Sequence, residues 1–244
     1  MGDKNKIDFS SKTFNPLVGC SRGCPYCYAE NIFRTSTGLK AGHAFTTPTF
    51  YPERLKQIEA LRKPAEGKDN SIFLCSMSDL LGHDVNSEWI ERILGTAAKK
   101  REWAFLLITK NPGRYAEFKD LLCSAENIWT GATATDQASY NDAESVFSLD
   151  WMQSKGRRFL CFEPLLGSVK TSALPCEWVI IGGQNRVKGK VGAKQPERSW
   201  VDSLVKLADS AKASVFIKQG MDHPCQRKER PVFIKKQQQT SFNF

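Results

Sequence analysis

Residues 104–122, "AFLLITKNPGRYAEFKDLL", contain an apolar run that is followed directly by a helical pattern. The run at 104–109 is unbroken rather than alternating, which is typical of a parallel strand buried on both faces. Asn111 is then a candidate helix cap, and Pro112 takes the first helical position, where proline is favoured. This stretch therefore predicts one strand–helix unit of a parallel sheet.

The same unit recurs along the chain. A helical pattern at 87–100 places Trp89, Ile90, Ile93, Leu94 and Ala97 on one face, and another begins at Ser199 with Asp202 three residues later, an N-terminal signature. Further apolar runs lie at 71–75, 127–132, 158–162, 178–181 and 214–217, and residues 15–19 are a candidate for an additional short strand.

Alternating strands and helices of this length imply a parallel sheet with right-handed crossovers. The sequence therefore predicts an α/β fold, a partial or full (β/α) TIM-type barrel of six to seven parallel βα units. The alternative is an open doubly wound sheet, but no G-x-G-x-x-G motif follows the first strand. We assign residues 1–222 to the barrel domain and residues 223–244 to a basic C-terminal extension that ends in a loose tail at 235–244.

The composition indicates the cellular compartment and the kind of binding partner that we expect. The chain has 244 residues, of which 41% are hydrophobic, with no apolar run of membrane-spanning length and no signal-peptide pattern at its N-terminus, so we expect a cytoplasmic protein that does not bind a membrane. The formal charge of +9 is concentrated at 185–198 and 226–236. It favours an anionic partner such as a nucleic acid, a nucleotide or an acidic protein; a solvated basic surface is the alternative.

Polar residues follow each predicted strand. In (β/α) barrels the chemistry lies at the C-terminal ends of the strands, so these residues form a candidate site on one rim, although each alone also fits a cap or a loop. They are Ser76, Ser78, Asp79, Lys110, Thr133, Asp136, Glu163, Gly182, Gly183, Gln184, Lys218 and Gln219.

Three of the eight cysteines, Cys20, Cys24 and Cys27, form a C-x₃-C-x₂-C motif. In a chain of this length without a secretory signal, such a cluster indicates metal or redox chemistry. An iron–sulfur cluster of the 4Fe–4S type normally takes four cysteines, so three would leave one iron open to a small molecule. A zinc site completed by a distant cysteine is an alternative, and a disulfide fits less well because three is odd.

The segment "CSRGCPYCY" at 20–28 resembles the cysteine signature of the radical S-adenosylmethionine (SAM) superfamily, with Tyr26 as its aromatic position. Segments between about residues 13 and 220, including "CSMSDLLG", "LITKNPGRY" and "WVIIGGQ", resemble more narrowly the phage- and bacterium-encoded three-Cys-motif family. Members of that family mostly lack an assigned function, and some are encoded beside a three-Cys-motif partner protein.

The resemblance implies a radical SAM enzyme. Cys20, Cys24 and Cys27 would hold a 4Fe–4S cluster, and SAM would bind its open iron. A one-electron reductant such as flavodoxin or ferredoxin would then drive cleavage of SAM to a 5′-deoxyadenosyl radical, which abstracts hydrogen from a substrate. The basic charge favours a nucleic acid or nucleotide as that substrate. The implied fold is a partial or full (β/α) barrel.

The resemblance also implies roles for the rim residues. Ser76 and Ser78 fall where the superfamily contacts the SAM amino group, with the usual acidic residue displaced to Asp79. The candidates for the ribose and carboxylate contacts are Lys110, Thr133 and Asp136. Those for the adenosyl or substrate side are Glu163, Gly182, Gly183 and Gln184.

Cys225 lies in a basic segment after the last predicted strand, and we interpret it as a candidate hydrogen donor, the alternative being a surface thiol. Two other functions stay open. One is a non-catalytic iron–sulfur or zinc protein that binds nucleic acid through its basic surface. The other is a cluster-bearing SAM-dependent methyltransferase that forms no radical.

Overall fold

The computed structural model describes residues 7–34 and 43–233. Its main feature is a curled sheet of seven parallel strands in the order β1-β4-β5-β6-β7-β8-β9, which forms a half-barrel and confirms the predicted partial TIM-type fold. In chain order the strands are β1 (Lys12–Phe14), β2 (Leu17–Val18), β3 (Thr49–Phe50), β4 (Ser71–Leu74), β5 (Ala104–Thr109), β6 (Ile128–Thr133), β7 (Arg158–Phe162), β8 (Trp178–Ile181) and β9 (Ser214–Ile217).

The six predicted apolar runs form β4 to β9, as expected. The candidate strand at 15–19 contains β2, but β2 pairs antiparallel with β3 and not with the main sheet. The seventh strand of the barrel is β1, which pairs with β4 and which the sequence did not reveal. This strand has three residues, none of them fully buried, so it lacks the apolar run that marks a buried strand.

The helices pack against the outer face of the sheet, except the first, whose Ala29 packs in a separate cluster with Val18 and Phe45. They are α1 (Tyr28–Ile32), α2 (Leu55–Glu59), α3 (Ser87–Ala98), α4 (Lys119–Ser124), α5 (Gln137–Phe147), α6 (Asp150–Lys155) and α7 (Arg198–Ser210), with 3₁₀ turns at Pro52–Arg54 and Pro112–Phe118. In α3 the predicted face is buried through Ile90, Ile93, Leu94 and Ala97. No helix in the described ranges is long and apolar enough to cross a membrane.

The first predicted helix start is correct in position, since Pro112 begins a 3₁₀ turn directly after Asn111, but neither predicted start uses its expected capping group. The Asn111 side chain donates a hydrogen bond to the Leu81 carbonyl at 2.9 Å and does not cap the following 3₁₀ turn. Helix α7 begins one residue before Ser199 and has no side-chain cap. Asp202 instead contacts the Nε2 atom of His223 at 3.1 Å.

The barrel has a separate inner core. Side chains alternate along a strand, so Phe105 and Leu107 pack under the helices whereas Ala104 and Leu106 face inward. Aromatic rings fill the inside, including Phe9, Trp129, Phe159, Trp178, Phe216 and Phe233. The Phe159 ring lies against Gly131, where an added Cβ would be only 2.3 Å from it.

The part of the predicted C-terminal extension that the structure describes, 223–233, packs on the barrel. The Ile217 amide donates to the Arg227 carbonyl at 2.8 Å, and the Trp178 indole donates to the Glu229 carbonyl at 3.1 Å. Phe233 is buried with its ring centroid 5.5 Å from that of Trp178. This segment therefore contributes to the inner core, and the predicted loose tail at 235–244 lies outside the described residues.

Lys155 at the end of α6 yields a prediction for stability. Its ammonium is buried and donates to the Ile128 carbonyl at 2.8 Å, and burial, followed by the nearby Arg157 charge, lowers the pKa of Lys155 to about 7. The unfolded chain therefore binds more protons at this group than the folded protein does above neutral pH. The destabilisation caused by Lys155 should decrease as pH rises above about 7.

Lys155→Met is the matched variant. Because both proteins contain the same other titrating groups, the contributions of those groups cancel when the two pH dependences of unfolding are subtracted. The free energy of unfolding of the wild type relative to Lys155→Met should increase by about 1 kcal/mol between pH 6 and pH 8, measured by urea unfolding. A difference that does not change with pH would contradict the assignment.

Candidate functional site

A cavity of about 1110 Å³ opens at the C-terminal ends of the barrel strands. All three cysteines of the C-x₃-C-x₂-C motif line it. So do residues at or just after the end of each strand of the main sheet, namely Asn15, Ser76, Met77, Ser78, Asp79, Lys110, Thr133, Glu163, Pro164, Gly183, Gln184, Asn185 and Lys218. The fold thus places the cysteine loop, residues 19–27, and the polar rim formed by these strand ends around one space.

Most of the sequence-predicted site residues line this cavity. They are Cys20, Cys24, Cys27, Ser76, Ser78, Asp79, Lys110, Thr133, Glu163, Gly183 and Gln184. Lys218 lines it as well. Of the remaining rim residues Gln219 does not, and neither do three residues with a predicted role, Asp136, Gly182 and Cys225.

These three residues have other surroundings. Asp136 caps α5 by accepting a hydrogen bond from the Ser139 amide at 2.9 Å, and its bonds to Ser139 lower the pKa of the Asp136 carboxyl. Gly182 leaves room for the Glu163 and Lys218 side chains, which an added Cβ would approach to 3.1 Å. Cys225 is half-buried against the outer core, so the structure does not bring the predicted hydrogen donor to the cavity.

The cysteine loop is hydrogen-bonded to the end of β4. The Gly19 amide donates to the Met77 carbonyl at 3.0 Å, and the Ser78 hydroxyl donates to the Gly19 carbonyl at 2.6 Å. On the other side, the Cys20 amide donates to the Phe45 carbonyl at 2.7 Å. The hydroxyl of Ser78, predicted to contact SAM, is therefore engaged in holding the loop.

Asp79 connects the same loop to β5. Its buried carboxylate accepts hydrogen bonds from the Thr109 hydroxyl at 2.6 Å and from the Lys110 amide at 3.0 Å. The Arg22 guanidinium lies 3.8 Å from this carboxylate and donates to the Lys110 carbonyl at 2.8 Å. Asp79 therefore fixes the ends of two strands relative to the segment between Cys20 and Cys24.

Asn15 completes this attachment and was not predicted. Its side-chain oxygen accepts hydrogen bonds from the Ser76 hydroxyl at 3.1 Å and from the Met77 amide at 3.0 Å. Asn15 follows β1 directly and precedes Pro16. Because β1 has no apolar run, no sequence pattern places Asn15 at a strand end.

The cysteines are free thiols in a partly buried environment. Burial is the largest cause that raises the pKa of the Cys20 and Cys27 thiols. Burial, followed by the proximity of Cys24, raises the pKa of Tyr26 to about 12, so its phenol stays protonated at neutral pH. Cys27 also caps α1, because the Glu30 amide donates to its sulfur at 3.4 Å.

Within the described ranges, no group of three or more His, Cys, Asp or Glu side chains is arranged so that it could hold a metal ion. In a 4Fe–4S cluster each cysteine binds a different iron, so its ligands surround the cluster and do not meet at one ion. The donor set suits such a cluster, since three thiols line a cavity that has room for it. Cys20, Cys24 and Cys27 are the residues that would hold it.

An ion pair lines the opposite side of the cavity. The Lys218 ammonium lies 2.5 Å from the Glu163 carboxylate and 3.8 Å from that of Asp8, and the Cys161 sulfur lies 3.9 Å from Glu163. Burial alone would lower the pKa of Lys218, but Glu163 and then Asp8 more than offset it, so the pKa is raised. Lys218 therefore places a positive charge at the cavity wall. Its position directly after the last predicted strand indicated only a candidate rim residue.

Gly19 and Gly23 provide a matched test of the loop. Gly19 has φ +102°, and an added Cβ would lie 2.5 Å from the Thr47 carbonyl oxygen, whereas Gly23 has φ +68° with no such contact closer than 4.0 Å. Gly19→Ala should lower the free energy of unfolding by several kcal/mol, and Gly23→Ala by only about 1 kcal/mol. Chemical denaturation measures both, and equal losses would contradict the described packing of the loop.

Comparison with known proteins identifies a family. A family model described as "Protein of unknown function (DUF5131)" matches residues 4–240. No curated protein and no solved structure matches the chain. Because the family match covers almost the whole sequence, the chain belongs to the DUF5131 family of proteins of unknown function.

Proposed function

We propose that this protein is a radical SAM enzyme. The observation that carries the proposal is that Cys20, Cys24 and Cys27, in C-x₃-C-x₂-C spacing, line one cavity together with the polar ends of the barrel strands. Cys20, Cys24 and Cys27 would hold a cluster whose open iron is free to bind SAM, and such a cluster would pass one electron from an external reductant to SAM, which would then give methionine and a 5′-deoxyadenosyl radical. The chain's own residues hold the cluster, orient SAM and enclose the substrate.

The size of the cavity supports this proposal. At about 1110 Å³ it exceeds the roughly 300–1,000 Å³ of ordinary small-molecule pockets. It therefore offers space for a cluster and SAM with part of a substrate beside them. A cavity closed around a single small ligand would not need this volume.

The hydrogen bonds divide the rim residues into two groups. The side chains of Ser76, Ser78 and Asp79 are already bonded to Asn15, Gly19 and the end of β5, so we assign them the positioning of the cysteine loop. The Lys110 ammonium, by contrast, makes no ion pair with a described residue and lines the cavity. It suits the SAM carboxylate by charge.

The other side of the cavity faces the substrate in this proposal. Thr133 contributes a hydroxyl, and the Glu163–Lys218 pair contributes one acceptor and one cation. Glu163 and Lys218 already neutralise each other. A substrate therefore gains binding free energy from them only if its own groups replace part of this ion pair. A substrate with both a donor and an anionic group, such as a nucleotide, meets this requirement.

The partners follow from the same proposal. The enzyme requires a one-electron reductant such as flavodoxin or ferredoxin, and a three-Cys-motif partner protein is a further proposed interaction. The net charge of +9 supports a nucleic acid or nucleotide as substrate.

The test uses Cys24→Ala with Cys123→Ala as its matched control, because Cys123 is an exposed thiol outside the cavity. After anaerobic reconstitution, the wild type and Cys123→Ala should bind about four irons each, show a broad absorbance near about 400 nm, and release 5′-deoxyadenosine from SAM under dithionite. Cys24→Ala should lose the absorbance and the product.

Three results would contradict the proposal. A colourless protein that binds one zinc would indicate the alternative metal site. A cluster that never yields 5′-deoxyadenosine would indicate a non-catalytic iron–sulfur protein. Methylated product without 5′-deoxyadenosine would indicate a SAM-dependent methyltransferase.

A further inference from the structure

The segment after β8 forms a basic hairpin, residues 184–194. The Gln184 and Lys194 backbones exchange hydrogen bonds at 2.8 and 2.9 Å, and those of Val187 and Val191 do so at 2.9 and 3.0 Å. The segment contains four basic residues and no acidic residue. It is therefore a defined structural element with a strongly positive surface.

The two ends of the basic hairpin are fixed on different sides of the cavity. Near its base, the Gln195 side chain donates to the Gly220 carbonyl at 3.0 Å, just after β9. Towards its tip, the Lys190 ammonium lies 2.5 Å from the Glu30 carboxylate of α1, the helix that follows the cysteine loop. Gln184 and α1 both contribute to the cavity lining, so the hairpin borders the mouth.

The remaining cations of the hairpin have no ion-pair partner among the residues that the structure describes. Arg186, Lys188 and Lys194 are exposed and make no ion pair with any residue in the described part of the chain. Val187 is buried, whereas its sequence neighbours Arg186 and Lys188 are exposed, so both of these cations face solvent. Their charge is thus available to an external anion.

An exposed aromatic ring lies at the same mouth. Tyr28 is 42% exposed, lines the cavity, and has its hydroxyl fixed by a hydrogen bond to the Ser76 carbonyl at 2.7 Å. Cations that follow a backbone, together with an aromatic ring on which a base can stack, are the components of single-strand nucleic acid sites. A protein interface would instead need an apolar centre, which the hairpin does not expose.

We propose that the basic hairpin and Tyr28 bind single-stranded nucleic acid, with the phosphates on Arg186, Lys188 and Lys194 and one base at the mouth of the cavity. A base inside a duplex cannot enter a cavity of this kind without leaving its stack. Single strands are therefore preferred over duplexes. The inference deepens the proposed function by naming its substrate class, but it concerns binding and requires no cluster.

The experiment measures fluorescence anisotropy of labelled single-stranded DNA and RNA of about 20 nucleotides, and of the corresponding duplexes, with the full-length apoprotein. The wild type should bind single strands more tightly than duplexes, with an affinity that falls steeply as salt rises. Because no cluster is present, a failure here is separate from a failure to reconstitute or to cleave SAM.

The test variant is Arg186→Gln/Lys188→Gln/Lys194→Gln. It should weaken single-strand binding at least tenfold and reduce the salt slope by about 2, the value for three lost phosphate contacts. The matched control, Lys99→Gln/Arg101→Gln/Lys119→Gln, removes the same charge from exposed positions that do not line the cavity. It should bind almost as the wild type does.

Tyr28→Ser separates stacking from charge. It should weaken single-strand binding by at least about fivefold and leave duplex binding and the salt slope nearly unchanged. Equal losses in both triple variants, absent binding, or a preference for duplex would overturn the proposal. Photo-crosslinking of a thiouridine-containing strand checks the site directly, and cross-links confined to other peptides would also overturn it.

Discussion

The buried carboxylate of Asp79 is the contact on which the site depends. It accepts hydrogen bonds from Thr109 and the Lys110 amide and lies beside Arg22, so it joins the ends of β4 and β5 to the cysteine loop. Burying a carboxylate costs free energy unless hydrogen bonds and a nearby cation compensate for the lost water. Asp79 therefore favours the one arrangement in which these partners surround it. Through these contacts, the irregular loop that carries the three cysteines is attached to the strand ends.

The fold could be predicted because most of its strands are buried on both faces. Such strands appear as unbroken apolar runs, and β4 to β9 were all recognised in this way. The short edge strand β1 carries no such signal, and its pairing with β4 depends on contacts distant in sequence. The predicted start of α7 also failed because of a contact distant in sequence. Asp202, an expected capping residue, contacts His223, which belongs to the segment after β9.

The candidate site was predictable where a residue directly follows a strand. Lys110 and Glu163 are each one step beyond β5 and β7, and the alternation of inward side chains carries them into the cavity. Asp136 lies farther from its strand, and the Ser139 that follows it at capping spacing marks it as a helix cap. Cys225 lies in the segment that turns back to pair antiparallel with β9. No pattern in the sequence predicts this turn, so the position of Cys225 could not be predicted.

In the function we propose, the cysteine loop, the polar rim and the basic hairpin belong to one enzyme site that opens towards an anionic substrate. We propose that SAM binds the open iron of a cluster held by the three cysteines. Electron paramagnetic resonance of the reduced, reconstituted protein tests it most directly. We expect a 4Fe–4S signal whose g-values shift when SAM is added. No cluster signal, or a signal that SAM leaves unchanged, would contradict this mode of binding.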